Sequence, residues 1–427
     1  MMDACLQDAA ENALALMRAQ GFEHAQVSAS ISQQDELNIA DNEVSLMRST
    51  ESQKISVLGL VDGRKASTEL PEFEPEAVRE RIKSLFADAL GAPQDTANAV
   101  SANQRARISQ GPQKADLSLL ADKAAELLKF RAREAPLMGL REAVSSHSLL
   151  QSHTLTSGGS DLQASVGSYW LSAFGTARDG IQVSSFNFAG GNADDLGLRY
   201  AADFFGIGEM MRDTSCQIHT QPLPGKFQGD VILTPLAVQD LLGWFLGQLS
   251  DMQLIAGSSL YRDKIGMAIA SPLLTVNSRF DSPGGAALSA DAFVTPPLCV
   301  LRAGRLQTLT PSLYASRKTG LAHVPVAAGW EVLAGNTTRT EMMADVKRGA
   351  LVGRLSMGSP SPNGDFSSVI KNSFLIEGGV MGPALSGVMI SGNMARMLLD
   401  VLAISAERID TGSVVLPWLR IPNLFFS

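Results

Sequence analysis

The sequence predicts an α+β fold in which an N-terminal helix–sheet–helix domain is followed by a β-rich C-terminal domain. Helical and strand-like segments are segregated along the chain rather than alternating, which favours α+β over a doubly wound sheet. Glycine and proline divide the second half into short strand-like runs. A chain of 427 residues, 45% of them hydrophobic, is long enough for two or three domains. We expect one over residues 1–215 and another over residues 216–427.

The first domain opens with two predicted helices that flank a meander of strands. Ala9–Gln20 has apolar residues at helical spacing and ends before Gly21. Pro75 begins a second helix that extends to Leu90, because the first turn of a helix tolerates its missing N–H. Between these helices, alternation predicts strands on either side of the turn signal Asp62-Gly63. The predicted strands are His24–Ser32, Asn42–Thr50, Lys54–Leu60 and Lys65–Leu70.

A segment with little apolar periodicity follows. Gly91–Lys114 is rich in Ala, Asn, Gln, Ser and Pro, which is the composition of a mobile linker. Beyond it, the pattern predicts an amphipathic helix, an antiparallel sheet with two glycine-containing turns, and another helix. These elements are the helix Asp116–Ala135, the sheet Val144–Phe188 with turns at Ser157–Ser160 and Arg178–Gly180, and the helix Asp194–Arg212.

The β-rich remainder contains two further predicted helices, Ala237–Leu249 and Ser391–Ser405. The first has an apolar stripe and two glycines one turn apart, where small residues permit close packing of a neighbour. Burial within the chain is the favoured interpretation of the stripe, and a subunit contact is the alternative. The stripe consists of Leu241, Leu242, Phe245, Leu246 and Leu249, and the glycines are Gly243 and Gly247.

The composition argues against nucleic-acid and membrane partners. A formal net charge of −8 and a pI near 5.3 repel phosphate backbones, and no dense run of Lys and Arg reverses this locally. No stretch approaches the ~18 apolar residues of a membrane span, and the acidic start Met1–Cys5 does not resemble a signal peptide. We therefore expect a cytoplasmic protein. Its three cysteines, Cys5, Cys216 and Cys299, are expected to be reduced and buried.

Motifs that carry chemistry are scarce in this sequence. Zinc catalysis needs three protein ligands, usually seeded by two histidines one helical turn apart. His147 and His153 are the closest pair, yet six residues place them ~20 Å apart on a strand, so we expect surface or strand-edge side chains. Ser368 and Lys371 match a bare SxxK motif, but residues three apart on a strand point to opposite faces. Glycine loops for nucleotides and a GxSxG elbow are also missing from the sequence.

Seven short segments in the second half together resemble one family. They occur in the order and spacing of the C-terminal half of the TldD/PmbA family, and the helix–sheet–helix start resembles the family's N-terminal domain. Each segment alone is unspecific, but seven in register are a strong indication. The segments are Gly257–Arg262, Phe280–Ser282, Tyr314–Gly320, Asn363–Ser367, Phe374–Gly379, Ser391–Met394 and Gly412–Pro417.

The resemblance implies a subunit of a zinc metallopeptidase complex that processes or degrades flexible, unfolded peptides. In this family the TldD branch carries an HExxxH helix and a C-terminal Cys that bind zinc, whereas the chain is similar to the PmbA (TldE) branch, which lacks them. The counterpart of the zinc helix is Val238–Gly247, which contains neither His nor Glu, and the counterpart of the Cys segment is Asp410–Ser413. The resemblance thus implies no catalytic residue, metal or cofactor in this chain, and zinc in a TldD-like partner.

Several residues of the resembling segments are candidates for contact with substrate or with a partner subunit. The Asn363-Gly364-Asp365 loop suits an approaching peptide, because glycine lets backbone come close and Asp365 can accept a hydrogen bond from an amide. A structural Asx-turn explains these residues equally well. The Ser-Arg-Gly-Ala that commonly follows this Asp in the family is replaced by residues 367–370, Ser-Ser-Val-Ile, which argues against substrate contact. The other candidates are Ser258, Tyr261, Arg262 and Arg317, for which surface salt bridges are the alternative.

Two other functions stay open at this point. The chain is alternatively a stand-alone, non-enzymatic homodimer that binds peptides or proteins. The third possibility is a Ser- or Thr-dependent hydrolase, which needs a base beside the nucleophile, and the sequence shows no such arrangement. The expected assembly is therefore a heterodimer with a TldD-like subunit, or a homodimer.

Overall fold

The N-terminal half of the chain builds the first of two sheets. The computed structural model describes the backbone of residues 2–427 and the side chains from residue 4 onward. The strands of the first sheet are β1 (His24–Ala40), β2 (Glu43–Val61), β3 (Arg64–Leu70), β4 (Arg105–Gln110), β5 (Met138–Thr156), β6 (Asp161–Asp179), β7 (Gln182–Val183) and β8 (Asn187–Ala193). Their hydrogen-bonded order is β3-β2-β1-β5-β6-β4, and β7 and β8 also pair with β6.

Helices cover one face of this sheet. They are α1 (Met2–Gln20), α2 (Pro75–Gly91), α3 (Leu117–Glu134) and α4 (Ile207–Cys216), with a single 3-10 turn at Ala201–Asp203. The same face of β1 supplies Val27 and Ile31 to the core beneath α1 and α2, and Leu37 and Ile39 to the core beneath α3 and α4. Because side chains alternate along a strand, the other face of the sheet is left without these helices.

The C-terminal half builds the second sheet. Its strands are β9 (Thr220–Gln221), β10 (Phe227–Leu233), β11 (Val276–Ser278), β12 (Cys299–Arg302), β13 (Arg305–Leu306), β14 (Trp330–Val332), β15 (Arg348–Val352), β16 (Arg354–Ser356), β17 (Asp365–Lys371), β18 (Phe374–Glu377), β19 (Val380–Leu385), β20 (Met389–Asn393), β21 (Ala403–Asp410) and β22 (Val414–Phe426). The long strand β22 pairs with β10, β14, β20 and β21 and therefore ties the sheet together.

Short helices pack against the second sheet, around one large core and one smaller core. They are α5 (Pro235–Gln248), α6 (Asp251–Ile255), α7 (Leu313–Thr319), α8 (Arg339–Ala344) and α9 (Met394–Leu399). Val238 and Phe245 of α5 pack with Met397 of α9 and with Val231 and Leu419 of the sheet. Among the helices that the structure describes, none is long and apolar enough to cross a membrane.

The α+β class, with a β-rich C-terminal part, is confirmed. The predicted N-terminal helices and the strands His24–Ser32 and Lys65–Leu70 are also confirmed, with β1 continuing to Ala40. The two strands predicted at Asn42–Thr50 and Lys54–Leu60 form one continuous strand, β2. The turn at Asp62-Gly63 forms as predicted, with φ angles of 48° and 69°. The side chains of Glu74 and Asp116 cap α2 and α3, which explains where these two helices begin.

Two predicted helices are wrong over much of their length. Within Asp194–Arg212 the chain makes turns up to Gly206, because the Asp195 side chain accepts a hydrogen bond from the Gly197 N–H and Gly206 adopts a φ of 75°. Within Ser391–Ser405 only α9 is helical. Its apolar residues also suit a longer helix, but strand β21 begins at Ala403, and backbone pairing with β22 decides its conformation.

The segment predicted to be a mobile linker, Gly91–Lys114, contains strand β4. This strand pairs in parallel with β6 over its whole length. It shows no apolar periodicity because backbone hydrogen bonds, rather than a buried face, hold it in place. The chain then crosses β6 so closely that a Cβ on Gly167 would lie 1.7 Å from the Pro112 carbonyl oxygen. The domain boundary after residue 215 stays a prediction, and α4 extends across it.

The histidine and cysteine predictions also need correction. His147 and His153 are buried rather than exposed, because β5 lies inside the sheet between β1 and β6. Nε2 of His147 lies 2.8 Å from the Pro112 carbonyl oxygen, and Nε2 of His153 lies 2.8 Å from a carboxylate oxygen of Asp161. The three cysteines are free thiols, as predicted, but Cys5 and Cys216 are exposed rather than buried.

Candidate functional site

Helix α5 is the central element of the candidate site. Thr234 caps its N-terminus by accepting a hydrogen bond from the Ala237 N–H, and Pro235 occupies its first turn. The predicted apolar stripe is confirmed as core, with Leu246 half-buried and the other four members fully buried. One face of the helix is therefore anchored in the second domain's core, which holds the opposite face in a fixed position.

The opposite face of α5 borders an open cleft of about 930 Å³, named here the helix cleft. The two predicted small-residue positions line it, and a Cβ built on Gly243 or Gly247 would meet no atom within 4 Å. No element of the described chain therefore packs closely on these glycines. The lining also includes Leu236, Gln239, Asp240, Trp244, Arg354, Leu355 and Met357, with residues 358–362 of the loop that follows β16.

Two charged side chains that line the helix cleft, Asp240 and Arg354, lack a full set of partners within the described chain. Burial raises the pKa of Asp240 to about 6, and the positive charge of Arg354 only partly opposes this effect. The Arg354 guanidinium lies 4.0 Å from the centre of the Phe186 ring. Its Nε is buried and has no hydrogen-bond partner among the described residues. Groups of this kind are frequent where a protein binds another molecule.

A second cavity, of about 300 Å³, lies between the two sheets and is named the interdomain cavity. One wall comes from β6, β8 and α4, and the other from the start of α5, β18 and the hairpin of β21 and β22. The walls are mostly apolar and aromatic. They include Trp170, Phe188, Phe205, Met210, Phe374, Ile409, Leu416 and Trp418. Leu236 and Gln239 border both spaces, so the cavity and the helix cleft are neighbours on α5.

The interdomain cavity is lined by two acidic residues. Both carboxylate oxygens of Glu209 accept hydrogen bonds from Arg339, whose guanidinium stacks 3.9 Å from the centre of the Trp418 ring. Asp213 lies one helical turn after Glu209, and its carboxyl receives no hydrogen bond from the residues described. Burial and, second, the negative charge of Glu209 raise the pKa of Asp213 to about 6.

The two segments predicted to be the counterparts of the zinc-binding segments of the TldD branch meet at the interdomain cavity, and the correspondence itself stays a prediction. Gln239 of α5 lines it together with Thr411 and Ser413 from the turn before β22. An amide and two hydroxyls are not the imidazole, thiolate and carboxylate ligands that zinc prefers. Among the side chains of residues 4–427, no three of His, Cys, Asp or Glu are grouped so that they could hold a metal ion. The residues at this position therefore do not fit the family's zinc.

The Asn363-Gly364-Asp365 loop forms an Asx-type turn beside the helix cleft. Asp365 accepts hydrogen bonds from the side-chain amides of Asn363 and Asn393, both at 2.9 Å, and these lower its pKa. Gly364 has a φ of 92°, and a Cβ there would lie 3.0 Å from the Trp244 ring. The loop thus braces α5, and the Asp365 carboxylate is already engaged within the chain.

The structure places the other predicted candidates in separate environments. Tyr261 is 2% exposed and packs edge-on against Trp244 and Phe245, so it belongs to the core beneath the helix cleft. Ser258 donates a hydrogen bond to the side chain of Gln253, and Arg262 is half-buried. Substrate contact by these residues stays a prediction.

Arg317 belongs to a contact between the two halves of the chain. Its guanidinium donates a hydrogen bond of 2.9 Å to the Thr96 carbonyl oxygen. On the same helix, Lys318 and Tyr314 bind the Asp95 carboxylate at 2.9 and 2.8 Å. The hydrogen bond from Lys318, with those from the Ala97 N–H and Tyr314, lowers the pKa of Asp95 to about 2. The Tyr314–Gly320 segment therefore clamps the second domain onto the segment that precedes β4.

Comparison with known proteins identifies the relationship. Residues 225–427 match the family model described as the PmbA/TldA metallopeptidase C-terminal domain. Residues 225–427 therefore form a C-terminal domain of the TldD/PmbA family. Within this family, the match covers the second sheet, α5 and the hairpin of β21 and β22, which are the elements that build both the helix cleft and one wall of the interdomain cavity.

Solved structures share the fold over nearly the whole length. TldE from Thermococcus kodakarensis superposes with a TM-score of 0.83 at 20% identity, covering 98% of this chain and 100% of that one. A proposed modulator of DNA gyrase from Bacteroides thetaiotaomicron gives 0.83 at 18% identity, covering 99% and 98%. Another from Thermotoga maritima gives 0.79 at 17% identity, covering 99% and 100%. At these identities the likeness shows the fold alone. No curated protein sequence matches the chain.

The family motifs in the sequence did not indicate the charged residues that line the helix cleft and the interdomain cavity. Glu209 and Asp213 lie outside the seven resembling segments, in a stretch where the sequence predicted a helix with wrong bounds. Asp240 interrupts the apolar run of α5, and that interruption is the one local signal available for it. Arg354 carries no such signal, because its importance depends on Phe186 from the other domain.

We expect Asp213→Asn to stabilise the chain at neutral pH but not in acid. Because the folded state raises the pKa of Asp213 from 3.8 to about 6, ionising this carboxyl costs stability as pH rises through that window. Above about pH 7 the variant should be more stable by at most about 3 kcal/mol, at about 1.4 kcal/mol per pKa unit. Urea unfolding of both proteins at acid and neutral pH measures this difference.

Asp365→Asn is a control whose stability relative to the wild type should change with pH in the opposite direction. Hydrogen bonds lower the pKa of Asp365, so its ionised form stabilises the fold above its ordinary pKa, and this stability is lost as pH falls. The asparagine variant should therefore lose stability relative to the wild type as pH rises. A constant difference between Asp213→Asn and wild type at all pH values would contradict the first expectation.

Proposed function

We propose that the chain is the metal-free subunit of a TldD/TldE-type zinc metallopeptidase complex that processes or degrades flexible peptides. The observation that supports this proposal is the convergence of α5 and the turn before β22 on one cavity to which neither segment contributes an imidazole, thiolate or carboxylate. In this proposal, Gln239, Thr411 and Ser413 take the positions at which zinc would need such ligands. Zinc chemistry then has to come from a TldD-like partner subunit.

The role that suits this chain is to enclose and hold the peptide. The helix cleft is open over Gly243 and Gly247, where backbone can approach closely. Strand β16 borders the cleft and pairs, among the described strands, with β17 alone. An edge strand of this kind can hold an extended peptide by main-chain hydrogen bonds with little dependence on its sequence. The strands of a folded protein are already paired within it and cannot add to this edge. Unfolded peptides are therefore favoured as substrates.

Reconstitution tests the proposal. The purified chain, a companion chain that bears HExxxH, and the mixture are each given a disordered peptide and a tightly folded protein, with and without a zinc chelator. Cleavage of the peptide is expected from the mixture alone and should be lost with the chelator, while metal analysis should find no stoichiometric zinc on this chain by itself. Chelator-resistant cleavage by this chain alone would indicate a Ser/Thr hydrolase, and no complex with the companion would indicate a stand-alone binding protein.

A cleft-filling variant tests whether this chain contributes a peptide surface. Gly243→Leu places a side chain in open space on the cleft side of α5, so we expect normal folding but markedly slower cleavage by the mixture. Gly91→Leu is the matched control, because Gly91 is also a helical glycine with open space around it and lies in α2. Equal rates of peptide cleavage by mixtures containing the two variants would show that the helix cleft does not bind the peptide.

A further inference from the structure

The interdomain cavity combines an aromatic lining with a carboxylate that the chain does not compensate. Trp170 and Phe188 are 39% and 42% exposed although they line it, so they present apolar surface that nothing in the described chain covers. Pockets that bind small ligands are typically apolar, with a few convergent polar groups and volumes of about 300 Å³ or more. A cavity of about 300 Å³ matches a small molecule or a single long side chain.

The charges that line the interdomain cavity indicate whether its ligand should be a cation or an anion. Glu209 is neutralised by Arg339, which is itself held against the Trp418 ring. Arg212, the other cation that acts on Asp213, is exposed and lies over the Phe130 ring. Arg339 and Arg212 therefore only partly offset the desolvation of Asp213, which is half-buried in the cavity lining and receives no hydrogen bond from the described residues. Partial desolvation of a carboxylate is costly, and a cation that binds beside it reduces that cost.

We propose that the interdomain cavity binds an alkylammonium group, with Asp213 as its counter-ion and Trp170 and Phe188 packing against its apolar chain. Aromatic faces attract cations as well as apolar groups, so the same walls suit both ends of such a ligand. The Thr411 hydroxyl and the Gln239 amide line the same cavity, and their oxygens can accept hydrogen bonds from an ammonium group. The inference does not depend on the proposed peptidase role, since it concerns binding by this chain alone.

The alkylammonium group has two possible sources, a free amine or the side chain of a lysine in a peptide. Calorimetric titration of the full chain with hexylammonium chloride tests the first. An acetylated, amidated peptide with a single lysine tests the second, with its Nε-acetyl-lysine form as the matched control. Binding of the amine alone, or of the lysine peptide with loss on acetylation, supports the proposal and assigns the source. If neither binds, or if neutral 1-hexanol binds as tightly as hexylammonium, the proposal is overturned.

Substitutions locate the site. Asp213→Asn is expected to weaken binding by about tenfold or more, because it removes the counter-ion while keeping the side chain's shape. Asp240→Asn is the matched control: its carboxyl also has a pKa raised to about 6, but it lines the helix cleft rather than the interdomain cavity. Circular dichroism confirms folding of both. Unchanged binding by Asp213→Asn, or an equal loss from Asp240→Asn, would overturn the assignment to this cavity.

Discussion

Replacing Gly167 by alanine is expected to destabilise the chain by about 3 kcal/mol or more, because there is no room for a Cβ at this position. The added carbon would lie 1.7 Å from the Pro112 carbonyl oxygen and 2.6 Å from its carbonyl carbon. The obstructing atoms are backbone, so no side-chain rotation relieves the clash. Either β6 or the segment that leads from β4 to α3 must move, and the contact of His147 with Pro112 is then lost as well.

The control for this prediction is Gly91→Ala. A Cβ on Gly91 meets no atom within 4 Å, and alanine is favoured over glycine in a helix by up to about 1 kcal/mol. This variant should therefore be as stable as the wild type or slightly more stable in urea unfolding. A Gly167→Ala protein with wild-type stability would show that the segment around Pro112 can leave the sheet without cost.

Phe245→Ala is expected to cost about 3–5 kcal/mol, the usual range for removing a fully buried aromatic ring. Phe245 has no exposed surface and packs against Tyr261, with ring centres 5.8 Å apart. Its loss leaves a void between α5 and the second sheet. Because α5 forms the wall shared by the helix cleft and the interdomain cavity, the variant should also bind less ligand at temperatures where it is still folded.

Met252→Ala is the control that shows whether the loss of stability is specific to the buried Phe245 ring or follows from truncating any side chain near α5. Met252 lines the helix cleft but is 77% exposed, and truncating such a side chain usually changes stability by less than about 0.5 kcal/mol. Chemical unfolding of the two variants gives the comparison directly. Similar losses from both would mean that α5 is not anchored by the apolar stripe.

Much of the secondary structure could be predicted from the sequence because its causes are local. The helices α1, α2 and α3 follow from apolar spacing with Gly21, Pro75 and Asp116 near their ends. The failures are equally physical. Strand β4 lacks an apolar pattern, and the turns before α4 depend on one side-chain hydrogen bond and a positive φ, so periodicity alone misjudged both segments.

In the structure, some of the segments that resemble the family line a cavity, whereas others make contacts that hold the fold together. The resemblance predicted α5 and the turn before β22 as counterparts of the zinc segments; this stays a prediction, and in the structure both segments line the interdomain cavity. Other segments turned out to support the scaffold. Tyr314 and Arg317 hold the two halves together, and Asp365 closes an Asx-type turn against α5. A motif's presence in a sequence does not say which of these roles it has.

The sequence by itself determined the α+β class and the family resemblance of the second half of the chain, because both depend on residue identity and short-range pattern. The tertiary structure alone decided where the unpaired charges lie. Asp213 and Trp418 are separated by more than two hundred positions, yet they share one cavity with Trp170. The raised pKa values of Asp213 and Asp240 arise first from desolvation, and then from the nearby charge of Glu209 for Asp213 and the opposing charge of Arg354 for Asp240. Desolvation is a property of the packed molecule, so no local pattern could have shown it.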